Sequence, residues 1–218
     1  MADAAAESGV TAVQPLTGGK LILAAILIGM GNFLVVLDTT IANVSIPHIA
    51  GSLGVSVSEA TWVITSYAVA EAITVPLTGW LSRRFGGQRV FITSYLLFGI
   101  LSLLCGLSST LGMLIGARVL LGLAGGTIIP LSMTLLLRIF PPEKASVAML
   151  IWAMTTTVAP IAGPILGGTI SDNVGWEWIF FINVPVAMAG GIGLLYLFRG
   201  QIEEIVKIEL AIDRLCDE

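Results

Sequence analysis

Six runs of apolar residues, each long enough to cross a bilayer as a helix, constrain this chain more than any other feature. A hydrocarbon core about 30 Å thick takes roughly 20 residues of α-helix. Runs of that order occupy residues 21–45, 60–81, 89–108, 111–138, 145–170 and 178–198. In lipid every backbone N–H and C=O must find its partner within the protein, so runs this long fold as helices; barrel strands are shorter and alternate polar with apolar. The predicted fold is all-α and integral to a membrane: one six-helix bundle built as a 3+3 repeat. Composition agrees, with 56% hydrophobic and 11% charged residues in 218 and a mean hydropathy of +0.98, far more apolar than a water-soluble core requires.

Around the bundle, residues 1–20 are small and polar and lack any apolar face, which predicts a disordered cytoplasmic leader. A signal peptide is a competing reading of Lys20 and the run after it. That run is too long and no small-residue cleavage site follows, so a retained span is expected. Residues 199–218 read as an acidic cytoplasmic tail in which Ile205, Ile208, Ile212 and Leu215 fall on one helical face. The net charge of −4 gives nucleic acid nothing to bind. Cys105 and Cys216 show no metal-ligand or disulfide spacing, so no metal site and no cofactor are expected.

Charge position sets the orientation. Lys20, Arg83, Arg84, Arg89, Arg138, Lys144, Arg199, Lys207 and Arg214 fall in the leader, after spans 2 and 4, or after span 6, while the other connections carry no Lys or Arg. The positive-inside rule then places both termini in the cytoplasm, with spans 1, 3 and 5 running outward. Trp62, Trp80, Trp176 and Trp178 fall at span ends, where indole rings favour the interface.

Three ionisable residues remain at depth: Asp38 in span 1, Glu71 in span 2 and Arg118 in span 4. A charge at the bilayer centre costs about 3 kcal/mol on insertion scales, so each must face protein, a partner or water. Asp38 and Arg118 each lie seven residues from the outer end of the predicted span, roughly 10 Å of helix, and can share one depth. A structural reading competes with a functional one, in which Asp38 and Arg118 merely neutralise each other and Glu71 bonds Ser66 or Thr74. Gly122, Gly125 and Gly126 follow Arg118 on one face and predict close approach of another helix. Asn32, Thr39 and Asn43 form a polar row along span 1, beside a second row of Asp38 and Ser45, and predict a helix lining a water- or substrate-filled cavity. Pro160, Gly163, Pro164, Gly167 and Gly168 punctuate span 5, where Gly163 and Gly167 make a GxxxG; both close packing and a bending element fit them. The single histidine, His48, has no nucleophile or base near it in sequence and reads as interfacial, which speaks against an enzyme.

Leu37-Asp38-Thr39-Thr40-Ile41-Ala42-Asn43-Val44, leading to Ile46-Pro47, resembles the first-helix signature of the fourteen-helix drug:proton antiporters of the major facilitator superfamily, the EmrB/QacA group. Four further stretches fall in the matching order: Gly79, Arg83, Arg84 and Gly86 after span 2; Arg118 with Gly122 and Gly126; Pro160 through Gly168; and Trp178 to Pro185. Together they cover about residues 20–200. The resemblance implies half of a major facilitator fold in a bacterial inner membrane, with a proton-coupled multidrug efflux activity on lipophilic or cationic compounds. It implies a proton-coupling role for Arg118, a role for Asp38 toward protons or cationic drugs, and an antiporter motif at Pro160, Gly163, Pro164, Gly167 and Gly168. A periplasmic adaptor and an outer-membrane channel are the partners it implies in a double-membrane bacterium. Besides Gly87 and Gln88, which stand where the superfamily usually has basic residues, two positions depart from the pattern. Arg83 stands where the superfamily usually has an aspartate, and Glu71 stands in place of a neutral residue, which makes it a candidate for substrate preference. Family members carry about twice as many helices, so a truncated or half-size protein without transport of its own, and a homodimerising half-transporter, are the alternative readings.

Overall fold

The computed structural model describes residues 18–198. Residues 1–17 and 199–218, and with them the predicted tail and nearly all of the predicted leader, lie outside the described residues. Six helices long and apolar enough to cross a membrane follow one another in the described part. They are α1 (Gly19–Leu53), α2 (Trp62–Phe85), α3 (Gly87–Gly106), α4 (Leu111–Ile139), α5 (Ala145–Asn173) and α6 (Trp178–Phe198). No strand occurs among the described residues.

The predicted spans are matched in number and order, and differ mainly at their ends. Span 1 is predicted over residues 21–45, yet α1 runs on to Leu53 with Pro47 inside it. Proline removes one N–H and bends a helix without ending it when the neighbouring turns stay paired. The stop comes instead from Gly54, whose φ of 64° is left-handed and whose N–H closes on Ala50 O. A capped turn, Val57–Ala60, then leads into α2: Ser56 and Glu59 bond reciprocally, Glu59 N–H to Ser56 Oγ at 3.2 Å and Ser56 N–H to Glu59 Oε2 at 2.9 Å.

The expected loop after span 2 is nearly absent. Gly79, Arg83 and Arg84 lie within α2, the two arginines in its last turn, where a positive charge suits the carbonyl end of a helix. Only Gly86, at φ 83°, separates α2 from α3. Trp62, Trp80 and Trp178 are exposed near span ends, as expected, but Trp176 is buried. Gly175, at φ 118°, turns the chain back so that Trp176 packs edge-on against Phe180, with centroids 6.2 Å apart.

The repeat shows in the packing. The most extensive contacts are between α2 and α4 and between α1 and α5. Exchanging the three-helix halves α1–α3 and α4–α6 turns one of these pairs into the other, as a 3+3 repeat requires. Both pairs rest on glycines. A Cβ at Gly126 would lie 2.9 Å from Glu71 O, and one at Gly167 would lie 2.9 Å from Ile41 O, so the backbones approach as closely as they do only because no side chain intervenes. Of the six helices, α3 and α4 are the most enclosed and α5 the least.

Candidate functional site

Asp38 of α1 and Arg118 of α4 meet at the centre of the bundle, both fully buried. Arg118 Nη1 donates to Asp38 Oδ2 at 2.5 Å, and its Nε–H donates to the Val63 carbonyl of α2 at 3.1 Å. The equal depth expected from the sequence is realised, although α1 runs on for 15 residues beyond Asp38, roughly 22 Å of helix. The guanidinium lies over the Tyr67 ring of α2, 4.3 Å from its centroid, and 5.6 Å from that of Phe180 of α6. Stacking of this kind suits arginine because its planar, weakly hydrated cation is attracted to a ring face.

Asn183 of α6 completes the cluster. Its Nδ2 donates to Asp38 Oδ1 at 2.9 Å and lies 3.5 Å from Ser102 Oγ of α3. Side chains or carbonyls from α1, α2, α3, α4 and α6 therefore meet in one cluster, in which Arg118 and Asn183 bond the carboxylate directly. In so dry a setting a lone charge would be costly, and pairing makes the two charges tolerable although Arg118 Nη2 has no hydrogen-bond partner.

Glu71 is half-buried one turn along α2 from Tyr67, within electrostatic reach of both Asp38 and Arg118. Neither hydroxyl once considered for it is its partner: Thr74 Oγ1 donates to Ala70 O at 3.0 Å, and Ser66 Oγ to Val63 O at 3.5 Å.

The polar row on α1 is divided by the way α5 crosses it. Asn32 is fully buried and donates to Thr155 and Thr156 of α5, each at 2.9 Å, so it ties two helices. Farther along, α5 meets Thr40, Ile41 and Ser45, whose hydroxyl lies 2.8 Å from Ser171 Oγ. Thr39 and Asn43 are left outside that contact and bond back to Val35 O and Thr39 O. Within α5, Gly163 and Gly167 face α1 and are buried, whereas Pro160 and Pro164 are exposed and a Cβ at Gly168 would touch nothing. The five residues thus serve two faces of an unbroken helix. At the far end of this pair His48 Nε2 lies 2.9 Å from Asp172 Oδ1, a partially exposed contact that sequence spacing could not reveal.

Sequence reasoning missed Asn183 as a site residue, along with Tyr67, Phe180 and Ser102. Asn183 sits in a quoted motif, and its signal was available: a buried amide in a greasy run has the same need for partners as a charge, only smaller. Among the described residues no group of His, Cys, Asp and Glu is arranged to hold a metal.

Residues 28–210 match the sequence profile of the Major Facilitator Superfamily. The chain is 53% identical over 188 residues to the multidrug export protein EmrB of Escherichia coli K12, covering 86% of this chain and 37% of that protein. It is 55% identical over 175 residues to EmrB of Haemophilus influenzae, covering 80% and 34%, and 49% identical over 174 residues to the fatty acid resistance protein FarB of Neisseria gonorrhoeae, again covering 80% and 34%. The chain spans little more than a third of the length of these curated relatives.

Proposed function

Because this chain belongs to the major facilitator superfamily, we propose that it is the first six-helix bundle of a proton-coupled exporter of lipophilic or cationic compounds, a transporter and not an enzyme. The observation that carries this reading is the Asp38–Arg118 pair, fully buried at the meeting point of five helices in a membrane bundle. A group that only neutralised a charge would be replaceable by apolar residues at no loss. A carboxylate that exchanges a proton with Arg118 as its counter-ion couples the membrane proton gradient to a change of state, because its protonated and ionised forms favour different helix arrangements.

In this reading both termini are cytoplasmic, and the end of the bundle that carries Arg83, Arg84, Arg138 and Lys144 faces the cytoplasm of a bacterium. The chain acts with a second bundle, against which α5 slides on the face of its exposed Pro160 and Pro164 and half-buried Gly168. A periplasmic adaptor and an outer-membrane channel carry the exported compound onward. Relatives named for multidrug export support this assignment of substrate class.

Glu71 selects among substrates. It is half-buried, within reach of the pair, and bonded by neither neighbouring hydroxyl, so its charge is available to a cation. Accumulation of a lipophilic cation and of a neutral drug, compared in cells with and without a transport-competent form of the protein, tests both points. Export of both drugs that collapses with the proton gradient is expected. Glu71→Gln is expected to cut cation export about tenfold, the worth of one charge contact of about 1.4 kcal/mol, and to leave the neutral drug within twofold. Equal loss of both would contradict the selective role.

A further inference from the structure

Asp38 is held by two donors, and they differ in what they can offer. Arg118 occupies Oδ2 and carries no acceptor in any state. Asn183 occupies Oδ1 through Nδ2 at 2.9 Å, and as an amide it carries an acceptor as well. That acceptor is idle: Asn183 is 1% exposed and its Oδ1 has no hydrogen-bond partner. A buried amide oxygen without a donor costs about 1–3 kcal/mol, so its persistence beside a carboxylate wants a cause. Once Asp38 is protonated its new O–H needs an acceptor, and this oxygen belongs to a side chain already in contact with the carboxyl.

We propose that Asn183 is the positioning residue of the Asp38 carboxyl, its amide donating to the carboxylate and, turned over about its side-chain bond, accepting from the carboxylic acid. On loading, one proton from water joins Asp38 Oδ1 and no bond is broken within the protein; on unloading it returns to water. After the turn, Asn183 Nδ2 remains a donor, and the Ser102 hydroxyl 3.5 Å from it in the present arrangement is an acceptor at hand. The other titratable and charged groups that face Asp38 either carry no acceptor, as Arg118, or make no hydrogen bond to its carboxyl in the present arrangement. They are Arg118 from α4, Tyr67 and Glu71 from α2, and Cys105 from α3, and α5 has no titratable residue between Lys144 and Asp172. The inference rests on the reading of Asp38 as a proton carrier.

Infrared spectroscopy of the purified chain in lipid nanodiscs tests it. The carboxylic C=O band of Asp38, assigned by its loss in Asp38→Asn, is followed against pH. Asn183→Leu, similar in branching and without donor or acceptor, is expected to move the midpoint of that band upward by about 1 pH unit, a tenfold gain in proton affinity, because the charge-assisted bond lost by the carboxylate is stronger than the neutral bond lost by the acid. Asn183→Ser, which keeps a donor and an acceptor, is expected to restore at least half of the shift. The C=O band is also expected to rise in frequency in Asn183→Leu, where the acid lacks its acceptor. If Asn183→Leu does not fold, Asn183→Ala carries the same test. A midpoint unmoved by loss of the amide overturns the proposal while leaving Asp38 a proton carrier. A band absent at every pH in the unsubstituted protein overturns the proton-carrier reading, and this inference with it.

Discussion

In a transport-competent form of the protein, Asp38→Asn is expected to reduce the proposed proton-driven efflux to the background of cells lacking the protein, at every external pH. An asparagine keeps nearly the shape of the side chain, and its Oδ1 can still accept from Arg118 or from Asn183, the two donors that hold the carboxylate. It cannot take up or release a proton. The substitution also leaves Arg118 as a fully buried cation without its counter-charge. Breaking a buried pair from one side costs about 3–5 kcal/mol, so the amount of protein in the membrane must be measured beside its activity. Normal membrane levels with efflux unchanged would remove Asp38 from the mechanism. Normal levels with efflux lost, and with substrate still bound, are the expected outcome, because the carboxylate is assigned to coupling and Glu71 to the choice of cation.

Gly122→Val is expected to have the largest effect on folding of any substitution outside the charge cluster. A Cβ at this position would lie 2.9 Å from the Ala70 Cβ of α2 and would press on the Tyr67 carbonyl as well. Backbone cannot swing aside as a side-chain tip can, and the two further methyl groups of valine leave α4 only the option of moving off α2. Overpacking of this kind costs about 1–3 kcal/mol and often more. The consequence reaches the site, since Tyr67 supports the Arg118 guanidinium and the Val63 carbonyl binds its Nε. Gly116→Val, on the same helix where a Cβ would meet nothing, supplies the control. Thermal stability of the purified chains is expected to fall by several degrees for Gly122→Val and to stay within about 1 °C for Gly116→Val, a surface change worth under about 0.5 kcal/mol. Equal losses would mean that the α2–α4 approach is not set by glycine.

These two cases also show why part of the structure could be read from the sequence. Apolar run length fixed the number of spans, because lipid allows so few backbone solutions. The cost of ionised groups in lipid singled out Asp38 and Arg118 before any contact was known. Small residues at helical spacing marked the faces of α4 and α5 on which other helices lie. What stayed hidden depends on which helices meet at which angle. Asn32, Thr39 and Asn43 form one row in sequence, but α5 crosses that row and buries only Asn32. Tyr67 and Phe180 carry no sequence signal for a cation partner, since aromatic residues are ordinary in apolar helices. Trp176 was misplaced because interfacial preference is a rule about span ends, and the turn at Gly175 returns that ring to the core.

The account depends on Asp38 and Arg118 being walled off from lipid by their neighbouring helices. Reaction of the intact chain in bilayers with a lipid-soluble carbodiimide, mapped residue by residue by mass spectrometry, tests this most directly. Glu71, half-buried, is expected to be modified first, and Asp38, at 0% exposure, to remain unmodified while the bundle is folded. Modification of Asp38 as fast as Glu71 would mean that the carboxylate faces the membrane and that the pair is not enclosed.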